Sequence, residues 1–380
     1  MRLPLFACVS AAVCLASCSS KSGRKTYPAP GKPGRRGPLS TRVVAVAGGV
    51  AYSQSFPGDS EIVILMDDEE EPGKTGLRGV PFCYDGERLW SWTERDMFYP
   101  NLTGASLRDG LAADVKKYRP KTTRPVIVSE IDGAAEAVGG VWISYQGLWC
   151  FDKKQETFSP VVVAPGWIPG ADSQQISSTG VRQLRVEDNT LWIVTGRIYK
   201  HKLGSPTREM VFESDPLLKK GPFGFEFTGK GFVLLDRDQP ATAKGVGTNH
   251  CFAICVNADY LWCSPRAATA EMAPNVFTLG ISRRDMADGS WKTFPSEEVG
   301  LPRHGPGLIC TAIEKVGSEI WFGYKGIGWG RQGLVVAHDP SSGKWRQPVR
   351  DRSVYSIAVS DAHVYLGVHG GVVRMRRPVK

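Results

Sequence analysis

The chain has 380 residues, with 43 glycines, 26 prolines and an aromatic share of 10%. That mixture excludes a helical bundle and a disordered chain, and it fits a turn-rich all-β protein of one or two domains. The formal charge of +9 excludes less than it suggests, because nearly all of the excess sits in one short segment near the start.

Residues 1–17 read as a processing segment. Arg2 is its basic start, and the apolar stretch that follows is too short to span a bilayer. Leu15-Ala16-Ser17-Cys18 places small residues ahead of a cysteine and resembles the bacterial lipobox. The resemblance implies that Cys18 becomes the first mature residue and carries a diacylglycerol on its thiol and a palmitate-type acyl chain on its amine. Its partner is then a membrane, reached through lipid. Ser19 after the cysteine resembles lipoproteins sorted to the outer membrane. An ordinary secretory signal cleaved nearby is the competing reading.

Residues 18–41 read as a tether. Lys21, Arg24, Lys25, Lys32, Arg35, Arg36 and, just beyond, Arg42 are mixed with prolines and glycines, and no acid precedes Asp59. Such a segment buries too little apolar surface to fold and acts as a spacer. Without Arg2 and those seven bases the charge falls from +9 to +1. A nucleic-acid partner needs a basic face, which a nearly neutral body lacks.

From 42 to 380 one stem recurs: an apolar residue, an aromatic, an apolar residue, a glycine turn and a second short strand. The marker aromatics are Tyr52, Trp90, Trp142, Trp192, Trp262, Trp321 and Tyr365, spaced 38 to 70 residues apart. The fullest copy is 316–348, where turn pairs and a Pro-Ser-Ser-Gly corner separate four short strands. One such sheet leaves both faces uncovered and needs neighbours, as in a propeller. The spacing predicts about seven four-stranded blades, with six or eight as alternatives. The longest gap leaves room for a degenerate blade at 224–236. Residues Thr41–Ala47 are expected to pair with the C-terminal blade and close the ring, since closure removes exposed edges. The best helix candidate is Leu107–Lys117.

The stems Leu191-Trp192-Ile193-Val194 and Gly147-Leu148-Trp149-Cys150-Phe151-Asp152 resemble the repeats of two-component-regulator propellers. Gly333-Leu334-Val335-Val336-Ala337 with Asp339 to Trp345 resembles quinoprotein-like propeller repeats. The resemblance implies a β-propeller architecture and is nearly silent on activity.

Six cysteines remain after Cys18. Cys255 and Cys263 flank an Asn-Ala-Asp turn, which allows a disulfide across a hairpin; free buried cysteines are the alternative. The six histidines are scattered and no metal-ligand spacing occurs, so neither a metal nor a cofactor is expected. Gly73-Lys74-Thr75 lacks the first glycine of a phosphate loop. The acidic run Asp67–Glu71 reads as a solvated loop.

Loops joining second to third strands cluster on one face of a propeller. They carry Tyr145, Arg197, Tyr324, Lys325, Trp329, Arg331 and His369, with Arg95, Asp96 and Arg266 in weaker copies. Aromatic platforms with cations suit sugars, peptides or carboxylates. Trp329, on a loop framed by glycines, is the foremost candidate. The expected function is that of a monomeric binding scaffold on the periplasmic side of the outer membrane, holding a protein or carbohydrate. A propeller lyase or hydrolase acting on a sugar or lactone, and an extracytoplasmic sensor module, are the alternatives. The chain is thus more readily read as a binder than as an enzyme.

Overall fold

The computed structural model describes residues 24–28, 40–54, 60–92, 97–100, 115–118, 134–137, 140–144, 148–160, 183–194, 198–203, 208–212, 225–227, 232–234, 248–264, 266–268, 277–278, 280–302, 308–326 and 332–378. Every regular element among them is a β-strand. The helix expected over 107–117 is not formed at its described end, because Val115–Tyr118 is a strand.

Seven four-stranded antiparallel sheets follow one another along the described residues. The first comprises Thr41–Val46, Gly49–Gln54, Glu61–Met66 and Gly73–Arg78. The second comprises Val80–Tyr84, Leu89–Trp92, Met97–Pro100 and Val115–Tyr118. The third comprises Ala134–Ala137, Gly140–Ser144, Leu148–Asp152 and Thr157–Pro160. The fourth comprises Gln183–Glu187, Thr190–Val194, Ile198–Lys202 and Arg208–Phe212. The fifth comprises Ile254–Val256, Tyr260–Cys263, Ile281–Asp285 and Trp291–Phe294. The sixth comprises Leu308–Val316, Glu319–Gly326, Leu334–Asp339 and Lys344–Val349. The seventh contains Val354–Val359, His363–Val368, Gly371–Arg376 and, from the other end of the chain, Lys25–Pro28. Each marker aromatic lies in the second strand of its sheet. The segment 224–236 contributes a two-stranded hairpin, Phe225–Phe227 with Phe232–Leu234.

The sheets stand in a propeller-like arrangement. First strands of consecutive sheets touch from the first sheet to the fourth and from the fifth to the seventh, and that of the seventh touches that of the first. The fourth and fifth are joined by the Ile254 amide, which donates to Gln183 Oε1 at 2.6 Å. Faces of neighbouring sheets bury each other's apolar residues, so the core is a set of seams rather than one centre. One seam holds Trp262, Phe294, Ile313, Phe322 and Tyr324; another holds Tyr27, Val43, Tyr52, Leu65 and Tyr365.

Closure differs from the sequence expectation. Residues 41–46 form the inner strand of the first sheet, paired with Gly49–Gln54. They meet the seventh sheet through Ser356, whose hydroxyl accepts from the Val43 amide at 3.0 Å and donates to the Thr41 carbonyl at 3.1 Å. A Cβ on Gly367 would lie 2.2 Å from that carbonyl, so only glycine admits this approach. The strand that completes the last sheet is Lys25–Pro28, with Tyr27 opposite Val372. It comes from within the stretch that composition marks as a spacer. Tyr27 is buried, and this side chain pins an otherwise polar strand.

Candidate functional site

Of the loop residues singled out in the sequence, Tyr145, Arg197, Trp329 and Arg331 lie outside the described residues, as do Arg95, Asp96 and Cys18. Tyr324 is not on a loop surface. Alternation along its strand puts Ile320, Phe322 and Tyr324 on one inward face, and its hydroxyl lies 2.8 Å from Ser264 Oγ. Burial pushes that phenol well above its ordinary pKa. Lys325, the next residue, points the other way and sets its ammonium 5.9 Å from the Tyr355 ring. His369 is exposed and bridges to Ser40. Lys325 and Tyr355 thus mark one end of the junction between the sixth and seventh sheets, while His369 lies at the junction between the seventh and the first.

The stem that presents residues 327–331 is tightly fixed. The Gly326 amide donates to Ser353 Oγ at 3.1 Å, and the Arg352 amide donates to the Gly333 carbonyl at 3.0 Å. A Cβ on Gly333 would lie 2.0 Å from the Tyr324 carbonyl oxygen, so strand and stem touch backbone to backbone.

Sequence reasoning missed a charged group on the inner strands. Arg185, Cys255 and Glu314 stand opposite Trp192, Trp262 and Trp321 in the fourth, fifth and sixth sheets. Arg185 spans the fifth sheet and clasps Glu314 with three hydrogen bonds of 3.2 Å, its Nη1 lying 3.5 Å from the Ile313 carbonyl. Burial lifts Glu314 above the usual carboxylate range against the pull of Arg185. Burial also lifts the Cys255 thiol to about 11, with Arg185 pulling it down and Glu314 pushing it up. The signal was available: these three residues hold the same offset from the marker indoles. The arrangement ties three sheets together, and burial keeps its thiol, Cys255, protonated.

A histidine–carboxylate pair occurs at the seam of the first and seventh sheets. Asp67 accepts from Tyr365 at 2.6 Å and Ser360 at 2.8 Å, and His363 Nδ1 lies 3.2 Å away. Arg374 donates to the Glu69 carbonyl at 2.6 Å and lies 5.1 Å from the Tyr27 ring, while Lys25 pairs with Glu70. The acidic run is a solvated loop at Asp68, Glu70 and Glu71, and a clasp at Asp67 and the Glu69 carbonyl. Thr75 of the Gly-Lys-Thr run donates to the Ile62 carbonyl at 2.6 Å within the sheet.

Cys255 and Cys263 are free and buried. Cys255 pairs with Trp262, whereas Cys263 pairs with Ile254, so the two thiols lie on opposite faces of the hairpin and cannot form the disulfide that the turn allows. Cys263 shares its face with Cys251, whose thiol burial pushes up well above the ordinary range. No group of histidines, cysteines and acids able to hold a metal occurs among the described residues.

No family model and no curated protein matches the sequence. Solved structures do. The extracellular domain of a one-component system from B. thetaiotaomicron superposes with a TM-score of 0.52 at 9% identity, over 93% of this chain. The present chain spans 40% of that protein's length. BamB from Moraxella catarrhalis gives 0.43 at 12% identity, covering 89% of this chain and 84% of its own. YCF48 bound to a D1 peptide gives 0.36 at 11% identity, covering 93% and 97%. These neighbours are β-propeller proteins, and the likeness to the first, at 9% identity, speaks for the fold alone.

Proposed function

We propose that the chain is a binding scaffold of the cell envelope: a seven-bladed β-propeller, anchored by lipid on Cys18 in the outer membrane and facing the periplasm. It holds a protein or carbohydrate ligand on one end of the ring. The observation that carries this reading is the pair of fixed anchors at Gly326 and Gly333, where Tyr324 and Gly333 meet and Lys325 and Tyr355 stand nearby. A rigid stem presenting Trp329 and Arg331 keeps the entropy cost of binding low. The closing strand supports the anchoring part of the reading. Seven peptide steps separate Cys18 from Lys25, a reach of at most about 25 Å, so an acylated Cys18 keeps the seventh sheet close to its bilayer.

The test is site-specific photocrosslinking in intact cells, with the crosslinker at 329 and, as control, at the exposed 361 on the opposite end. A discrete adduct at 329 and none at 361 supports the reading, and Trp329→Ala should weaken recovery of the same partner. Adducts at 361 alone, or none at either position, overturn it.

A further inference from the structure

The seam between the fifth and sixth sheets carries chemistry that packing does not use. Register places Trp262, Arg283 and Lys292 in one cross-strand row of the fifth sheet. Register likewise places Ile320, His338 and Trp345 in one row of the sixth. The rows face each other. The Trp262 and His338 ring centroids are 5.1 Å apart, and His338 stacks on Trp345 at 4.1 Å. Trp262 and His338 are 0% and 3% exposed, while Lys292 is exposed and Arg283 and Trp345 half-buried, so the seam opens outward.

Four polar atoms there have no hydrogen-bond partner among the described residues: Trp262 Nε1, Trp345 Nε1, His338 Nδ1 and Arg283 Nε. Leaving buried donors unanswered is costly, so each such group calls for a partner. Asp339 and Asp285 are the acids nearby; Asp339 is spent on Ser341 and Ser342 of its own turn, and Asp285 accepts from the Ala287 amide of its own.

The same protein shows what answers such a group. Trp321 donates from Nε1 to Glu319 at 2.9 Å, Arg346 lies 5.4 Å from the Trp321 ring, and Arg346 Nε donates to the same Glu319 at 2.8 Å. Trp90 donates to Asp85 at 3.0 Å. Trp262 has the arginine, Arg283 lying 5.6 Å from its ring and 4.1 Å from that of Tyr260. At the place of Glu319, two residues before the indole, it has Tyr260. The indole, the arginine and an extra lysine are present, and no carboxylate among the described residues answers them.

We propose that this seam is a carboxylate-binding site, in which Trp262, Trp345 and Arg283 hold an acid group supplied by a ligand and Lys292 stands at the mouth. The site is separate from the loop end discussed above and does not depend on it. The shared chemistry is a carboxylate, whether of a free small acid or of an acidic side chain on a polypeptide. An oxygen pair accepts from both indoles and the guanidinium, and the aromatic walls exclude water, which strengthens each contact.

Indole nitrogen–proton NMR of the full chain in detergent tests it, with Trp262→Phe and Trp345→Phe assigning the two signals. Sodium acetate and a capped Gly-Glu-Gly peptide are the two probes, each against sodium chloride at equal ionic strength. Saturable movement of both indole signals with either probe, absent with chloride, supports the site. The probe that saturates at lower concentration identifies the source. Arg283→Gln should abolish the movement without changing the fold, and Tyr260→Glu should supply the acid internally, shifting the Trp262 signal and blocking the titration. No movement with either probe, as for a site holding only water, overturns the proposal. So does an Arg283→Gln variant that titrates like the parent.

Discussion

The Tyr365 hydroxyl donates to Asp67 Oδ1 at 2.6 Å across the seam where the last sheet meets the first. The third strands of other sheets also end in aspartates, at Asp152, Asp285 and Asp339, and there the carboxylate folds back onto amides of its own turn. Asp67 follows its strand in the same way and instead reaches the neighbouring sheet, taking Tyr365, Ser360 and the Ala362 amide. A repeated turn device has become the fastener of the ring.

Asp67→Asn should therefore destabilise the fold by about 1–3 kcal/mol, since the carboxylate is the common acceptor of the clasp. Burial raises the Asp67 pKa, but hydrogen bonds from Tyr365, Ser360 and His363 outweigh it and hold the carboxyl below its ordinary 3.8. A depressed carboxylate contributes stability that is present above its unfolded pKa and is lost as pH falls through the folded one. Thermal melts of the parent should thus fall away below about pH 4, and the Asp67→Asn variant should show a flatter limb there. An unaltered acid limb would remove Asp67 from the clasp.

Tyr27 separates two contributions of the closing strand. Tyr27→Ala should cost about 3–5 kcal/mol, as for other buried aromatics. Tyr27→Phe should cost less than about 1 kcal/mol or stabilise, since the Tyr27 hydroxyl is buried without a partner among the described residues. Removal of 24–28 should expose the edge of Gly371–Arg376 and promote self-association. Chemical denaturation with light scattering reads all three. Equal losses for the two substitutions would contradict the packing role.

How far the sequence reveals this fold depends on which forces leave a local pattern. The marker strands are legible because an aromatic between apolar residues, followed by glycine, is a local signal, and each marker falls in a second strand. Lys25–Pro28 is not, since four residues with one aromatic look like the basic, proline-rich spacer around them. Asp67 looks like its acidic neighbours until the first and last sheets are brought together. The facing of Cys255 and Cys263 turns on a one-residue difference in register, which no turn motif reports. Arg185 and Glu314 are 129 positions apart, and only the offset from the indoles links them. At the candidate sites the sequence names the residue types, aromatic and cationic, whereas the seam at Trp262 emerges from the pairing of strands.

Anchoring has a simple readout. Under the proposed lipidation, Cys18→Ala should release the protein from the membrane fraction and abolish labelling by a palmitate analogue, since acyl chains would supply most of the membrane affinity at about 0.8 kcal/mol per buried methylene. Lengthening the segment 19–24 with glycine and serine should leave anchoring intact and the melting temperature unchanged. Retention of Cys18→Ala in the membrane fraction would place the anchor elsewhere.

The half-buried pair at the inner strands gives the sharpest contrast. Arg185 and Glu314 keep 21% and 29% of their side-chain surface, so water screens them only in part. Removing one partner of such a pair leaves an uncompensated charge, and Arg185→Met should cost about 3–5 kcal/mol. Replacing both, with Arg185→Met and Glu314→Gln, should recover much of that loss. The pH dependence fixes the cause. Burial already raises the Glu314 pKa, and loss of Arg185 raises it further, because the guanidinium is what lowers it. A carboxyl with a raised folded pKa favours the folded state when protonated, so Arg185→Met should lose stability as pH rises above about 4.3, the ordinary glutamate value. The double variant should not show this slope. Denaturation midpoints across acid to neutral pH decide the matter: a pH-independent loss in Arg185→Met would mean that the arginine acts through packing of its stem and not through its charge.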